Sequence, residues 1–430
     1  MMLPDVEHNK RVLILTAGSR GDVQPYIALG CGLQQAGFEV MLATDESFAS
    51  LAISHKLNFA PIHADFVNLI QTDEGKSAIA GKKSASLMRK VMPMLRQMID
   101  DAWDSAQQYQ PNAVIYHPKA LAGYHIAEKL GIPGFLAFSL PGYSPTRAFA
   151  NPMLGGGNYG GFFNQLSYTL FLKFVVLSYR RTIDTWRQEK LGLPPFTDEL
   201  TLHGQPVPKL YGYSGYVVPV PADWDNTSFV TGYWFLETPS NWQPSADLLT
   251  FLERGSAPIY VGFGSMVSQD SAKTTRLVID AVQKSGQRAI LATGIGGLSP
   301  SEVPDSIHIL ESAPHDWLFP HCLAVVHHGG AGTTGAGLWA GKPTVICPFF
   351  GDQPFWGKRV FELGVGPRPI PQKKLTVDKL AQAIEVVTSD ENMRQQAREL
   401  GKKIQAENGV MQAVAIIREQ LAIRGSYSVD

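Results

Sequence analysis

The sequence predicts two α/β domains, each built on a doubly wound, mostly parallel sheet, with a cleft between the domains. One observation is length, because 430 residues exceed what a single hydrophobic core usually supports. Another is that short apolar runs alternate with helical segments in both halves of the chain. A glycine-rich turn also follows an apolar run in each half, at 17–22 and 329–332. Each domain is therefore expected to present one ligand-facing loop.

The first half is predicted to open with a strand at 11–16 and a turn at 18–22. The helix that follows has Pro25 near its start and Gly37 just past its end, as helix boundaries favour. The remaining predicted elements of this half are strands at 39–44 and 113–116 and helices at 86–109 and 120–130.

A proline-rich stretch at 206–221 predicts the linker, because proline interrupts regular structure. The predicted domains are therefore 1–222 and 223–405, and a C-terminal helix within 406–430 is expected to pack back on the first domain. The alternating pattern restarts after the linker, with strands at 259–263, 289–292, 308–310, 323–326 and 344–347 and helices at 272–285, 377–388, 391–401 and 409–423.

Composition excludes several functions. Lys plus Arg number 37 and Asp plus Glu number 38, so no overall charge attracts nucleic acid or an anionic membrane. The N-terminal residues fit a first strand better than a secretory signal, so we expect a cytoplasmic protein. A monomer is also expected. The cysteines have no metal-site spacing and read as buried apolar residues of a reducing compartment: Cys31, Cys322 and Cys347.

One apolar segment, FFNQLSYTLFLKFVVL at 162–177, needs a separate interpretation. Asn164, Gln165 and Lys173 interrupt it, and it lacks the roughly 20 continuous apolar residues that cross a bilayer. The favoured prediction is a buried helix. The alternative is a helix that lines an apolar acceptor cleft or makes a peripheral membrane contact.

The densest motif is HHGGAGTTGAGLWAGKPTVICPFFGDQPFWGKR, at 327–359. An apolar strand is predicted to deliver His328 to a glycine-rich turn, and the helix after it points free N–H groups and its positive dipole end outward. This arrangement predicts a diphosphate site, with Thr333 and Thr334 adding hydroxyls. Polar residues after the next strand could hydrogen-bond to sugar hydroxyls: Asp352 and Gln353.

The first half carries the turn TAGSRGDVQP. It lacks the G-x-G-x-x-G pattern of a dinucleotide site. Asp22 precedes the predicted helix and could simply cap it, in which case it should have a low pKa and be a poor base.

Together, GSRGDVQPYIALGCGL and the 327–359 motif resemble the UDP-dependent glycosyltransferases of the sterol and antibiotic branch, most closely the sterol 3-β-glucosyltransferases. The segments AGYHIAEKLGIP, WRQEKLGLP and TGYWFLE extend the resemblance over nearly the whole chain. It implies the GT-B fold of two facing Rossmann-like domains, the first binding a hydrophobic acceptor and the second a nucleotide sugar. It also implies inversion at the anomeric carbon without a metal or other cofactor, UDP-glucose being the expected co-substrate.

The resemblance implies roles for individual residues. Asp22 matches the general base, and an apolar cleft closing over Asp22 is expected to raise its pKa. The helper expected beside it, His117, is assigned from its position at a strand end and not from the resemblance. Ser312 stands where plant relatives stack a tryptophan on the base, which leaves base recognition to groups near His315. The residues expected to contact the donor are Ser19, Arg20, Gly21, Ser265, His315, His328, Gly330, Gly332, Thr333, Asp352 and Gln353.

The acceptor is less defined. A sterol or triterpenoid would suit the aromatic residues expected around the cleft, and a polyketide, flavonoid or carotenoid would suit them too. The aromatic residues are Tyr143, Phe149, Phe162 and Phe171. Two functions of other classes use the same phosphate grip, namely a nucleotide-sugar epimerase and a non-catalytic nucleotide-sugar sensor. Neither would transfer a sugar to an apolar alcohol.

Overall fold

The structure is a computed structural model that describes residues 10–63, 84–239, 242–264, 271–293 and 303–425. Within these ranges the chain forms two α/β domains, as predicted. Each domain is built on a parallel sheet whose strands are continuous apolar runs, which is the pattern of strands covered on both faces. In the first strand, for example, Val12, Leu13, Ile14 and Leu15 are all fully buried.

The first sheet has seven parallel strands in the order β3-β2-β1-β4-β5-β8-β9. Its strands are β1 (Arg11–Leu15), β2 (Glu39–Thr44), β3 (Asn58–Pro61), β4 (Ala113–Tyr116), β5 (Gly134–Phe138), β8 (Lys209–Tyr211) and β9 (Ser228–Val230), and a separate hairpin pairs β6 (Thr201–Leu202) with β7 (Gln205–Pro206). The helices of this half are α1 (Arg20–Gln35), α2 (Ala49–Ser54), α3 (Ser84–Tyr109), α4 (Ala122–Leu130) and α5 (Gly161–Trp186).

The second sheet has five parallel strands in the order β12-β11-β10-β13-β14. They are β10 (Ile259–Gly262), β11 (Ala289–Ala292), β12 (Ile307–Leu310), β13 (Val325–His327) and β14 (Thr344–Ile346). The helices of this half are α6 (Ala246–Glu253), α7 (Ser271–Ser285), α8 (His315–Leu318), α9 (Ala331–Trp339), α10 (Gln353–Glu362), α11 (Val377–Ser389), α12 (Glu391–Gln405) and α13 (Gly409–Gly425).

Two predictions are wrong, namely the start of the first helix and the linker. Helix α1 starts at Arg20 and contains Pro25, because Ser19 and Asp22 cap it earlier than the proline suggested. The expected linker at 206–221 contains strand β8, which joins β5 and β9 in the first sheet. Proline loses its N–H but keeps its carbonyl, and the Pro208 carbonyl accepts a hydrogen bond from the Leu136 N–H at 3.0 Å. The first sheet therefore continues to β9, beyond residue 222.

The favoured prediction of a buried helix at 162–177 is also wrong. Helix α5 forms there, but only part of its circumference faces the core, where Tyr168 and Ile183 are fully buried. Several large apolar side chains on α5 are exposed: Phe162, Phe163, Leu170, Phe174 and Leu177. No helix among the described residues is both long and apolar enough to cross a membrane.

Helix α10 joins the two domains. The Arg359 guanidinium donates two hydrogen bonds, at 2.9 and 2.8 Å, to the Val217 carbonyl in the first half of the chain. The Trp356 ring packs edge-on against Tyr213, with centroids 6.3 Å apart. The position of α10 is therefore fixed by residues from both halves.

The last helix, α13, packs against α1 of the first domain. Ala413, Val414 and Ile417 of α13 belong to the same buried cluster as Leu29 of α1. The close approach requires Gly32, because a Cβ at this position would clash with the Val410 side chain.

Replacing Gly32 by Ala is expected to lower the free energy of unfolding by about 1–3 kcal/mol through overpacking against Val410. Without a clash, Ala would instead stabilise the helix by about 1 kcal/mol relative to Gly. The sign of the change, measured by denaturant unfolding, therefore reports the contact. Adding Val410→Ala should recover part of the loss, and a Gly32→Ala variant as stable as the parent would contradict the packing.

Candidate active site

The candidate site lies where the strand order of each sheet reverses. Strands β2 and β4 flank β1 in the first sheet, and β11 and β13 flank β10 in the second. Parallel sheets bind ligands beyond the carboxyl ends of their strands at such reversals, because the loops of the two central strands diverge there. Asp22 follows β1, His117 follows β4 and His328 follows β13. Both halves of the predicted site thus occupy positions that the topology opens.

Asp22 lies in the first turn of α1, and its carboxylate folds back over the preceding turn. Its Oδ2 accepts hydrogen bonds from the Ser19 backbone N–H at 2.8 Å and from the Ser19 hydroxyl at 3.0 Å. This reciprocal capping starts the helix. Gly18, at φ +131°, adopts a conformation that favours glycine, and a Cβ there would clash with the Asp22 carboxylate.

Two residues that follow β4 complete the surroundings of Asp22. Lys119 Nζ lies 2.8 Å from Asp22 Oδ2, and His117 Nε2 lies 3.4 Å from Asp22 Oδ1. The Lys119 side chain is 54% exposed, whereas that of His117 is 1% exposed. Lys119 was not among the predicted site residues, although its position two residues after His117 beyond a buried strand was a usable signal.

His117 is oriented by the backbone. Its Nδ1 accepts a hydrogen bond from the Lys119 N–H at 3.0 Å. A neutral imidazole has one donor and one acceptor nitrogen, so the proton resides on Nε2, which faces Asp22. Burial lowers the pKa of His117 more than Asp22 raises it, which keeps the ring neutral near pH 7. The His117 Nε2–H therefore lies 3.4 Å from Asp22 Oδ1 without completing a hydrogen bond, and His117 is not itself placed as the base.

The pKa of Asp22 reflects opposing effects. Burial raises it, but the Lys119 charge and the contact with His117 outweigh burial and hold the pKa well below its ordinary value. The expectation that an apolar cleft raises this pKa is therefore wrong for this arrangement. Asp22 is ionised near pH 7, and its basicity is weak while Lys119 remains paired with it.

In the second domain, His328 stands between β13 and α9. A Cβ at Gly330 would lie 2.6 Å from its Nε2, so the ring position depends on a glycine there. Burial lowers the pKa of His328 to about 4, and the ring is neutral at pH 7. Its buried Nδ1 has no hydrogen-bond partner within the described ranges, and a ligand atom would satisfy it.

The first turn of α9 supplies the predicted phosphate contacts. Its N–H groups have no partner inside the helix and carry the positive end of the helix dipole. Gly332 is exposed and Thr333 is half-buried, so both are accessible at this helix start. Thr334 differs, because its buried hydroxyl donates to the Gly330 carbonyl at 2.9 Å and so serves the helix instead.

The loop before α10 carries the predicted sugar contacts. Asp352 Oδ2 accepts a hydrogen bond from Trp356 Nε1 at 2.8 Å, and burial raises the pKa of this carboxyl. The Gln353 side-chain oxygen accepts the N–H groups of Phe349 and Phe350 at 2.7 and 3.3 Å. That oxygen shapes the loop, so Asp352 is the better-placed acceptor for sugar hydroxyls.

The two half-sites lie within electrostatic reach of each other. The pKa of Asp352 is set first by burial and then influenced by Lys119 and Asp22 of the first domain. The pKa of His315 falls to about 4, first through burial and then through the charge of Arg20. The charged groups that follow β1 and β4 therefore act on the sugar candidate of the second domain.

The remaining residues that were predicted to contact the donor differ in their surroundings. His315 stacks on the fully buried Phe319 with ring centroids 4.3 Å apart, which fixes the position of the imidazole. Arg20 and Gly21 are exposed at the start of α1. Ser265 lies outside the described residues.

The aromatic residues expected around the acceptor lie in different places. Phe138 packs against His117 at 5.1 Å and against Tyr143 at 5.7 Å, so an aromatic surface leads away from the base. Phe149 contacts Phe355 of α10 at 5.6 Å. Phe162 is 68% exposed on α5, and Phe171 is half-buried on the same helix.

No group of three or more His, Cys, Asp or Glu side chains within the described ranges could hold a metal ion. A cavity of about 270 Å³ lies near Tyr143 and is bordered by Lys209, Asp223 and Asp225. These charged side chains make it unsuitable for an apolar acceptor.

Two family models match the chain. Residues 12–149 match the glycosyltransferase family 28 N-terminal domain. Residues 277–419 match the C-terminal domain of the erythromycin biosynthesis protein CIII-like family. The two matches cover the loops that carry Asp22 and His328.

Curated relatives extend the similarity along nearly the whole chain. A sterol 3-beta-glucosyltransferase of Arabidopsis thaliana is 38% identical over 423 residues, which are 96% of this chain and 68% of the relative. A sterol 3-beta-glucosyltransferase of Neosartorya fischeri is 40% identical over 426 residues, again 96% of this chain. The chain spans only 29% of the length of that fungal relative.

Solved structures share the fold. The glycotransferase of kitacinnamycin superposes with a TM-score of 0.73 at 18% identity, covering 96% of this chain and 100% of the other. The glycosyltransferase VinC in complex with dTDP gives a TM-score of 0.63 at 19% identity, covering 97% and 100%. The chain therefore has the GT-B fold of two facing Rossmann-like domains.

Two neighbouring glycines test the geometry around His328. Replacing Gly330 by Ala should displace the His328 ring and weaken binding of a nucleoside diphosphate about tenfold, the cost of one lost hydrogen bond. Gly332→Ala is the matched control, because a Cβ there meets no atom within 4 Å and the backbone N–H remains. Calorimetric titration with UDP measures the affinity of both variants. Weaker binding by Gly332→Ala than by Gly330→Ala would contradict the role of the ring.

Proposed function

The chain belongs to the family of the sterol 3-beta-glucosyltransferases and is a glycosyltransferase, and we propose that it transfers glucose from UDP-glucose to the hydroxyl of a sterol. A triterpenoid or another flat apolar alcohol has the same recognition chemistry. The observation that carries the proposal is the Asp22 carboxylate, held at the end of β1 by Ser19, His117 and Lys119 and within electrostatic reach of Asp352.

Asp22 is the general base of the proposed reaction. As the acceptor oxygen attacks the anomeric carbon, its proton passes to the Asp22 carboxylate. The bond from the anomeric carbon to the diphosphate oxygen breaks, and UDP leaves with that electron pair. His117 stays neutral beside Asp22 Oδ1 at 3.4 Å, while Ser19 holds the carboxylate through Oδ2.

Lys119 adjusts the basicity of Asp22 during the reaction. While paired, it holds the pKa of Asp22 low and occupies Oδ2, the oxygen that an acceptor hydroxyl would approach. The exposed Lys119 ammonium is displaced when the acceptor enters and moves towards the diphosphate and Asp352. The loss of the ion pair in an apolar site raises the pKa of Asp22 when a proton must be taken up.

The second domain holds the leaving group. Its N–H groups at the start of α9 and the neutral His328 ring can donate hydrogen bonds to diphosphate oxygens. Asp352, held by Trp356, can accept hydroxyls of the glucose ring. Because base and leaving-group contacts come from opposite domains, the acceptor attacks from the face opposite the diphosphate, which inverts the anomeric configuration.

The same division argues against the alternatives. An epimerase needs its acid and base groups on one sugar, whereas Asp22, the proposed base, lies in the domain opposite the diphosphate contacts. A nucleotide-sugar sensor needs no carboxylate held between a lysine and a neutral histidine. Transfer of the sugar to a second molecule uses both this carboxylate and the diphosphate contacts of the opposite domain.

The direct test is to incubate the protein with UDP-glucose and cholesterol and to measure product by mass spectrometry. We expect a mass gain of one hexose and a β-configured product. Asp22→Asn should lower the transfer rate about 10²- to 10⁴-fold, the usual effect of removing a positioned base.

UDP affinity is the control for this variant, since the proposed diphosphate contacts lie in the other domain. It should be unchanged in Asp22→Asn. Transfer by Asp22→Asn at the parental rate would remove Asp22 as the base, and failure of the parent protein to glucosylate any apolar alcohol would remove the proposed function.

Lys119→Met is expected to change the pH dependence of kcat/KM. Asp22 must be ionised to accept a proton, and Lys119 lowers its pKa, so removing the charge raises that pKa. As the pH is lowered, Lys119→Met should therefore lose activity at a higher pH than the parent does. Lys119→Arg keeps the charge and should keep the parental acid limb. An unchanged acid limb in Lys119→Met would show that this ion pair does not control the base.

A further inference from the structure

Helix α5 exposes a continuous apolar face. Phe163, Leu170, Phe174 and Leu177 follow one another at intervals of seven, four and three residues, which places them on one side of an α-helix. Phe174 and Leu177 are 72% and 71% exposed. Isolated apolar side chains are normal on a protein surface. Several of them side by side form a patch, and such a patch marks an interaction site.

The patch continues into the segment before the helix. Leu154 and Tyr159 are 52% and 62% exposed, and the Phe162 and Phe163 rings contact each other at 5.4 Å. We call the exposed side chains of this surface the α5 face: Leu154, Tyr159, Phe162, Phe163, Leu170, Phe174 and Leu177.

The helix is anchored from its opposite side, so the α5 face has a fixed orientation. Near its start, the buried Asn164 side chain donates to the Arg147 carbonyl at 2.9 Å. At its end, Trp186 Nε1 donates to Asp100 of α3 at 3.1 Å. These anchors use the inward residues and leave the apolar residues outside.

The exposed charged side chains of α5 between Gly161 and Ile183 are all cationic. Lys173 and Arg181 are exposed, and their spacing from Leu170 and Leu177 places them on the same side of the helix. Residues 129–183 contain no Asp or Glu, although the whole chain has a net charge of only −1. Aromatic and aliphatic side chains flanked by Lys and Arg match the boundary between acyl chains and anionic headgroups.

We propose that the α5 face docks on the surface of a lipid bilayer that contains anionic lipids, with the helix lying in the plane of the membrane. Phe and Leu side chains enter the acyl boundary, while Lys173 and Arg181 reach the headgroups. A second copy of this chain fits less well, because a symmetric contact through the same patch would bring these cations against their own copies.

The segment that leads into α5 also borders the donor loop. Phe149 contacts Phe355 at 5.6 Å, and the Met153 methyl group lies 4.0 Å from the Cβ position of Gly351, next to Asp352. Docking would thus hold the cleft close to the bilayer. This consequence for catalysis rests on the proposed function, whereas docking itself does not.

The test is flotation of the full chain with vesicles of equimolar phosphatidylcholine and phosphatidylglycerol, compared with vesicles of phosphatidylcholine alone. We expect binding to the anionic vesicles that weakens with salt. The double variant Phe174→Gln/Leu177→Gln should bind at least about tenfold less, because it removes two side chains from the acyl boundary.

Matched variants separate the contributions. Ile53→Gln changes an exposed apolar residue on α2, 61% exposed, and should bind like the parent. Lys173→Gln/Arg181→Gln should lose the preference for anionic vesicles. The proposal is overturned if the parent does not float, if the α5 double variant floats equally well, or if ultracentrifugation shows a parent dimer that this variant converts to a monomer.

Activity distinguishes this proposal from the proposed function. The α5 double variant should glucosylate sterol in detergent micelles at the parental rate and sterol in vesicles more slowly. Absence of glucosylation by the parent in both media would contradict the proposed function and leave the flotation result standing. Equal rates in vesicles, together with equal flotation, would contradict the docking surface alone.

Discussion

The site depends on the packing of helix α10 between the two domains, because each sheet carries only half of the reacting groups. Asp352 stands at the start of this helix and is held by Trp356 one turn later. Trp356 in turn packs against Tyr213, and Arg359 is bound to the Val217 carbonyl. The residue proposed to hold the sugar is therefore positioned by contacts with the domain that carries the proposed base.

Asp22, the proposed base, combines two demands that conflict in a simple carboxylate. Capping α1 through Ser19 and pairing with Lys119 fix its geometry, and both stabilise the ionised form. A general base has to take up a proton, which an over-stabilised carboxylate does poorly. The conflict is reduced because Lys119 is half-exposed and can leave, whereas His117 is buried and stays.

The sequence predicted what depends on local pattern. Buried parallel strands are continuous apolar runs, so β2, β4 and β11 were predicted with their observed bounds. Features set by distant contacts were missed. Lys119 meets Asp22 across 97 positions, and no periodicity reports such a pair. The proline-rich stretch suggested a linker, because composition does not show that the carbonyl of a proline can accept a hydrogen bond within a sheet. Apolar content alone likewise did not show which face of α5 is buried.

The surface charge of the chain bears on how an apolar substrate could reach it. With a net charge of −1, the whole molecule has no field that would steer it to an anionic membrane. Local charge can act differently, because screening limits interactions to roughly 10 Å at moderate ionic strength. Lys173 and Arg181 beside an exposed apolar face are close enough to headgroups to act within that range once α5 touches them. Orientation on a membrane would then come from one helix.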